Sequence, residues 1–190
     1  IDWFNAEDTP LSRAISKTWM EAAVKRIMEP GCLFEYSLIL TGNGCSHIQG
    51  TDIHTFFERL SAGFGLAVNI DIKDTRKYGP ALNQSWICVM DELRGITQQQ
   101  QSWIRHIVRQ REDVYRPSYE KYFVENKRHS VFVGTTNNKT FLKYNTFSPD
   151  TKYWIVNCNN VDLNRINSEF DDKTVKQLWA EAYYMYKQNP

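Results

Sequence analysis

The sequence predicts an α/β fold built around a central, mostly parallel sheet. Two apolar runs carry this prediction: WICVM at residues 86–90 and SVFVGTTN at residues 130–137. Runs of this kind, with no regular polar alternation, are typical of strands buried on both faces of a parallel sheet. Segments with apolar residues at helical spacing lie between and around the runs, as expected when strands and helices alternate.

Polar side chains follow both runs at the point where each strand is predicted to end. Asp91 and Glu92 follow the first run, and Asn137 closes the second. Ligands bind beyond the carboxyl ends of parallel strands, so these groups are predicted to meet at one edge of the sheet. Two carboxylates and an amide suit Mg²⁺, a nucleotide phosphate and an attacking water. Alternatively, the two acids simply open the next helix, where they favour its dipole.

Composition limits the partners and the cellular compartment. A net charge of +1 gives no global attraction to nucleic acid or membranes, so any such binding must be local. The four cysteines form no CxxC pair and the four histidines show no metal-ligand spacing, which indicates a reduced cytoplasmic protein without a structural zinc. No apolar run approaches a membrane span. We expect one domain over residues 1–190 and, since residue 1 is not Met, a piece of a longer protein.

The chain in order predicts helices and strands around these two runs. A helix over residues 11–28 has Thr9 as its cap and Pro10 in its first turn. The remaining predictions are strands at 37–40, 66–72 and 153–156, helices at 52–60, 97–110 and 171–186, an irregular or helical link at 75–83, and a helical turn at 162–166.

A glycine-rich loop follows the predicted strand at 37–40. It contains Gly42, Asn43, Gly44 and Gly50, and a helix follows it. Strand, glycine-rich loop and helix form the layout of a phosphate-binding loop. The Gly-Lys-Ser/Thr signature is missing, however, so an ordinary strand-to-helix turn with glycines for the bend is the alternative.

A basic and aromatic segment separates the two apolar runs. Its alternation around Pro117-Ser118 predicts a β-hairpin over about 111–128. Basic and aromatic residues mixed in this way can grip a nucleic-acid backbone and stack on bases. The alternative is a solvated hairpin whose Tyr rings pack on its own stem. The candidate DNA-binding residues are Arg109, Arg111, Arg116, Tyr119, Lys121, Lys127 and Arg128.

Six blocks of the sequence together resemble a known family. They read TPLSRAISKTW from Thr9, EPGC from Glu29, WICVMDEL from Trp86, RQREDVYRPSY from Arg109, VFVGTTN from Val131 and QLWAEAY from Gln177. In this order they resemble the virulence-associated protein E family. Its members are P-loop ATPase domains of phages and mobile elements, similar to superfamily 3 helicases and often fused to a primase.

The resemblance implies a three-layer P-loop NTPase core of the RecA/AAA+ type with an inserted, DNA-facing hairpin. It implies nucleotide-site elements at 38–60, 86–92 and 131–137. Asp91 and Glu92 would form a Walker B pair, and Asn137 would be a polar sensor. If Mg²⁺ and ATP bind, amides of Gly42, Asn43, Gly44 and Gly50 would line the phosphates, and Thr55 and Asp91 would hold the metal.

Two elements depart from the family pattern. His54 stands where the phosphate-binding lysine belongs, and Thr55 stands at the Mg²⁺-binding hydroxyl. At the position of the arginine finger the chain has Lys152, which keeps a charge but not the planar fork. A neutral histidine has a shorter reach and no fixed charge near pH 7. Both departures weaken the grip on triphosphate.

Three functions follow from these patterns. The first is a degenerate ATPase domain that acts by binding DNA, single-stranded or forked, or protein. The second is a working ATP-dependent helicase motor, and the third is a self-associating scaffold that binds no nucleic acid. The resemblance also implies a bacterial or phage-encoded cytoplasmic protein, with self-association or a larger parent protein as its setting.

Overall fold

A computed structural model describes residues 2–42, 50–71, 74–90, 93, 97–137, 152–159 and 161–188. The strands are β1 Ser37–Thr41, β2 Leu66–Val68, β3 Ile87–Met90, β4 Glu112–Tyr115, β5 Val124–Lys127, β6 Val131–Thr136 and β7 Tyr153–Asn157. The helices are α1 Pro10–Met28, α2 Gly50–Leu60, α3 Thr75–Asn83, α4 Gln98–Arg109, α5 Leu163–Glu169 and α6 Asp172–Gln188. A short 3₁₀ turn at Asp2–Phe4 precedes them.

Five of the strands form one parallel sheet in the order β2-β3-β6-β1-β7. Strand β1 lies inside the sheet, where Ser37 is in register with Phe132 on one side and Tyr153 on the other. The other two strands, β4 and β5, pair separately as an antiparallel hairpin inserted before β6. The predicted α/β fold with a parallel sheet and an inserted hairpin is therefore confirmed.

Helices cover both faces of the sheet, which makes three layers. On one face Leu38 and Val133 pack with Trp19 of α1 and Phe57 of α2 in the larger apolar cluster. On the other face alternate residues of the same strands pack against α3 and α4 in a second cluster. Every residue of β1, β3 and β6 is buried, as the absence of polar alternation predicted.

Helix α1 begins with a capping box. The Thr9 hydroxyl accepts a hydrogen bond from the Ser12 amide at 3.1 Å, and Ser12 Oγ accepts one from the Thr9 amide at 3.0 Å. Pro10 occupies the first helical position, where its missing N–H costs nothing. These contacts satisfy the first amides of the helix. The buried face of the helix then places Trp19 against the sheet.

Three tryptophans join the layers by hydrogen bonds, two of them buried and one, Trp179, half-buried. Indole N–H groups donate from Trp19 to Phe132 O at 3.0 Å and from Trp86 to Ala23 O at 2.9 Å. Trp179 of α6 donates to Leu60 O of α2 at 2.7 Å. Each bond removes the cost of burying an indole N–H and fixes a helix relative to its neighbour.

Three elements differ from the sequence prediction in type or by more than two residues at one end. The link at 75–83 is a full helix, which begins at Asp74, whose carboxylate accepts from the Arg76 amide at 3.1 Å. The strand predicted at 66–72 ends at Val68, because Asn69 adopts a left-handed φ of 48° and turns the chain. The predicted turn at 162–166 continues as α5 to Glu169. Within the described residues, no helix has the length and apolar character needed to cross a membrane.

Gly134 lies in the middle of β6 at a point of close packing. A Cβ there would come within 2.9 Å of Ile39 Cδ1 and 3.0 Å of Leu93 Cδ1. Glycine is unfavourable in a strand on propensity alone, so its presence here reflects lack of space. The side chains of Ile39 and Leu93 are themselves buried and have little room to move.

We predict that Gly134→Ala destabilises the domain by about 1–3 kcal/mol, the usual cost of overpacking a core. Urea unfolding measures the change. Ser102→Thr is the control, because it adds one methyl group at an exposed position of α4, where nothing is crowded. Equal effects of the two substitutions would contradict the packing explanation.

Candidate functional site

The carboxyl ends of β1 and β6 form the topological switch point of the sheet. In the sheet order, the strand that follows β1 in the chain, β2, lies at one edge, whereas the strand that follows β6, β7, lies at the other. Chain segments leaving adjacent strands in opposite directions open a crevice, which is the usual ligand site of a parallel α/β sheet. Gly42 follows β1 and Asn137 follows β6, so two predicted site residues lie at this crevice.

Gly42 is held tightly against the end of β7. Its φ is 119°, and a Cβ would collide with Cys158 O and lie 2.7 Å from Asn157 Oδ1. The Cys158 amide also donates to Thr41 O at 2.6 Å. Only glycine fits this position, and the first residue of the predicted phosphate loop is therefore fixed by the fold.

Asn137 contacts the start of the same loop. With its amide nitrogen facing the carbonyls, Asn137 Nδ2 donates to Gly42 O at 2.9 Å and to Thr136 O at 3.1 Å. The structure thus places Asn137 beside Gly42, the first residue of the predicted phosphate loop, and its role as a sensor stays a prediction. The side chain is half-buried at the edge of the sheet.

The start of α2 shows where the predicted lysine position lies in the helix. Helix α2 begins at Gly50, so His54 and Thr55 are its fifth and sixth residues and lie in its second turn. In a P-loop the lysine stands where the loop meets the helix N-terminus. The resemblance expects His54 at this junction, whereas the helix places it one turn further on, and its phosphate-binding role stays a prediction.

No lysine occurs anywhere between residues 42 and 60. The one arginine in this segment, Arg59, lies in the last turn of α2, at the far end from the loop. Its guanidinium donates to the carbonyls of Ile166 and Phe170 at 3.2 and 3.4 Å, where it caps the C-terminus of α5. Arg59 is therefore engaged in holding two helices together.

Several predicted site residues lie outside the described residues. They are Asn43 and Gly44 of the loop and the acids Asp91 and Glu92 after β3. Within the described part of the chain, no three His, Cys, Asp or Glu side chains are grouped so that they could hold a metal ion. Gly42 and Asn137 lie at the crevice, and the segment 42–60 contains no lysine for the β- and γ-phosphates, so the described residues fit Mg²⁺ and ATP only in part.

Lys152, at the predicted finger position, lies at the opposite, amino edge of the sheet. It precedes β7, and its carbonyl accepts from the Ser37 amide at 2.9 Å. Lys152 Nζ is 3.3 Å from Glu35, which also accepts from Arg109 Nε at 2.7 Å. Partial desolvation works against the Glu35 carboxylate, but the hydrogen bonds from Lys152 and Arg109 outweigh it and lower its pKa.

The hairpin stem is anchored by a buried ion pair. Arg128 is 1% exposed and Asp113 is 3% exposed. Arg128 Nε donates to Asp113 Oδ2 at 2.5 Å, Nη2 donates to Asp113 Oδ1, and Nη1 donates to Ile107 O of α4 at 2.9 Å. This placement corrects the sequence prediction for Arg128, because a buried guanidinium cannot contact DNA.

A second buried arginine supports the first. Arg26 of α1 donates to Arg128 O at 3.3 Å and to Phe34 O at 2.8 Å. Burial lowers the pKa of Arg26 to about 10, with the positive charge of Arg128 adding to the effect. Gly31 completes the base, since its amide donates to Arg128 O at 2.8 Å and its carbonyl accepts from Arg111 Nε at 2.6 Å.

Helix α3 supports the hairpin from a different side. Gly79 lies directly beneath the ring of Tyr115, and a Cβ at Gly79 would collide with that ring. Tyr115 is 6% exposed and its hydroxyl accepts from Asn126 Nδ2 at 3.4 Å. The stem is therefore fixed to α1, α3 and α4 at once.

The outward face of the stem is unfavourable for a phosphate backbone. Glu112 and Glu125 are exposed neighbours, and their mutual hydrogen bond and repulsion raise the pKa of Glu125. Lys127 is exposed on the same face and lies opposite Glu112 in the ladder. Three candidate DNA-binding residues therefore already have partners in the protein. Arg109 contacts Glu35, Arg111 contacts a backbone carbonyl, and Lys127 lies opposite Glu112.

The hairpin tip, residues 116–123, is the exposed part. Tyr119 is fully exposed, Tyr122 is 80% exposed and Phe123 is 70% exposed. Arg116 and Lys121 are exposed among these rings. The tip therefore brings together three aromatic side chains and two cations on a rigid stem, and includes three of the seven candidate DNA residues.

Sequence reasoning missed Asn157, Asp113 and Arg26. Asn157 closes β7 and lies beside Gly42, and the polar ending of the 153–157 run was a signal comparable to Asn137. Asp113 and Arg26 gave no such signal. Their roles depend on pairing with a residue distant in the chain, which spacing does not reveal.

Comparison with known proteins agrees with this fold. The chain belongs to the virulence-associated protein E-like domain family, whose sequence profile matches residues 1–190. No curated protein matches it at a significant level.

Two solved structures share the fold. The apo A form of the NrS-1 C-terminal region is 13% identical with a TM-score of 0.53, over 93% of this chain and 41% of that one. A second apo A form, of residues 305–718, is 15% identical with a TM-score of 0.53, over 90% and 39%. The chain thus spans about two fifths of the length of these structures, and at such identity the likeness concerns the fold alone.

We predict that Asp113→Asn destabilises the hairpin and its packing by about 3–5 kcal/mol, because Arg128 stays buried without its partner. The double variant Asp113→Leu/Arg128→Met should recover most of the loss. Hydrogen exchange of β4 and β5, together with urea unfolding, measures both effects.

Arg13→Gln is the control for this pair, since it removes the exposed contact between Arg13 and Asp8. Exposed ion pairs contribute little, so its stability should stay near that of the unchanged chain. If Asp113→Asn behaved like Arg13→Gln, the anchoring role would be wrong.

Proposed function

We propose that this domain binds single-stranded DNA through the tip of its hairpin and has lost productive ATP turnover. The observation that carries the proposal is the exposed tip, residues 116–123, on a stem anchored by the buried pair of Arg128 and Asp113. An unanchored loop would lose much of its binding free energy to ordering, whereas a rigid stem avoids that cost.

The chemistry of the tip favours single strands. Tyr119, Tyr122 and Phe123 expose their rings, and base stacking on an aromatic ring is worth about 1–3 kcal/mol per base. Duplex DNA hides the base faces, so such rings have little to stack on there. Arg116 and Lys121 supply the attraction to phosphates that the net charge of +1 does not.

Loss of turnover is supported by the segment between β1 and the end of α2. It contains no lysine, and its one arginine caps α5. A P-loop lysine contacts the β- and γ-phosphates, and finger arginines are worth about 10³ or more in rate. The finger position is filled by Lys152, which pairs with Glu35. Without these cations, the charge that develops on the transferred phosphoryl group is poorly compensated.

Family membership supports the setting. A domain of the virulence-associated protein E-like family fits a role in replication of a phage or mobile element, as part of a longer protein or of a self-associated assembly. In that setting the hairpin would hold a single strand or the strand at a fork. Mg²⁺ and ATP would be at most weakly bound.

For DNA binding, the double variant Arg116→Ala/Lys121→Ala should lower the slope of log K against log salt by about 1.4, since each phosphate contact on a single strand contributes about 0.7. Tyr119→Ala/Tyr122→Ala should weaken binding about tenfold or more without changing that slope. Fluorescence anisotropy with a labelled oligonucleotide at several salt concentrations separates the phosphate contacts from the stacking contacts.

The matched control is Lys176→Ala/Lys187→Ala, which removes two exposed cations of α6 far from the tip in sequence. This variant should leave unchanged both the affinity for the oligonucleotide and the slope of log K against log salt. If the tip variants also leave both unchanged, the DNA proposal fails and a scaffold without nucleic-acid binding becomes the better description.

For ATP, we expect no Mg²⁺-dependent phosphate release above that of the Glu92→Gln variant. Thr51→Lys should raise ATP affinity more than His54→Lys, because residue 51 lies in the first turn of α2 and residue 54 in the second. Calorimetric titration and a phosphate-release assay give the two readouts. Turnover that Glu92→Gln abolishes would instead establish a working motor.

A further inference from the structure

An apolar pocket lies between one face of the sheet and the helices that cover it. Its floor includes Leu38 and Leu40 of β1, and its walls include Trp19 of α1, Phe57 of α2 and Ala182 of α6. The 3₁₀ turn that contains Phe4 borders it as well. The pocket is half-enclosed and has a volume of about 240 Å³.

The size of the pocket indicates a small ligand. An engineered apolar cavity of roughly 150 Å³ stays dry and binds benzene or xenon. The present pocket is larger, so one substituted ring or two fused rings fit. Atoms that line an empty apolar space lack dispersion partners on one side, and an apolar ligand supplies them.

The polar groups of the pocket are already satisfied within their own helices. Ser16 Oγ donates to Ser12 O at 2.9 Å, and Glu181 accepts from Gln177 Nε2 at 2.8 Å. Lys17 is exposed and lies 3.7 Å from Glu21. A ligand without hydrogen-bonding groups therefore leaves none of these groups unpaired.

We infer that this pocket, named here the α1–α6 pocket, is a binding site for an apolar aromatic molecule of one or two rings. It lies apart from the hairpin tip and does not depend on the DNA or ATP proposals.

Toluene is a suitable probe for the full chain. We expect saturable binding of toluene by calorimetry and a toluene-dependent rise in the unfolding temperature, because a ligand of the folded state stabilises it. The absence of a saturable response to toluene would overturn the inference.

Two variants fill the pocket from different elements, Ala182→Met on α6 and Leu40→Phe on β1. Either one, if it unfolds cooperatively, should lose the toluene response. The matched control is Ala81→Met on α3, which adds the same volume on the opposite face of the sheet and should keep the response. Retention of the response in a folded pocket-filling variant would mean that toluene binds elsewhere.

Discussion

Burial of β1 and β6 on both faces is the constraint on which the rest of the structure depends. Neither strand has an exposed residue, so helices must cover both faces of the sheet. The polar residues at the carboxyl ends of these two strands are therefore the first points where the chain meets solvent. Gly42 and Asn137 stand at these ends and touch each other. The candidate nucleotide site is therefore a direct consequence of how the two central strands are covered, and it persists whether or not a cation is present to hold a triphosphate.

The inserted hairpin follows different physics from the core. Its stem has only eight residues in two strands, too few to be stable alone in water. Its attachment comes from the pair of Arg128 and Asp113, from Arg26 and Gly31 beneath them, and from the ring of Tyr115 over Gly79. Hydrogen bonds and an ion pair between polar groups hold the hairpin in place, whereas burial of apolar side chains stabilises the sheet. A basic residue of the segment is thereby withdrawn from solvent, and the exposed tip retains the rings and cations that suit a single strand.

The sequence predicted the elements whose patterns are local. Uniform apolar runs gave β1, β3 and β6, and Pro117-Ser118 marked the hairpin. The sequence did not decide whether residues 75–83 are irregular or helical, because Gly79 and Pro80 lie inside this segment. Only the close packing of the Tyr115 ring explains why residue 79 is glycine. Arg128 was predicted to bind DNA because nothing in the basic segment indicates that one of its charged residues is buried. Its partner Asp113 can be identified only once the pairing of β4 with β5 is known. The start of α2 at Gly50, two residues before the predicted start, had a similar origin, since no residue pattern fixed where this helix begins.

The position of β1 also has a consequence for synthesis of the chain. Its partners β6 and β7 lie about 100 residues downstream, and pairings of such long range slow folding. While the chain is being translated, the apolar stretch at Ser37–Thr41 must wait without either neighbour until Val131–Thr136 has left the ribosome. Unpaired apolar strands invite aggregation, so the late completion of this sheet is the stage at which a chaperone would be most useful.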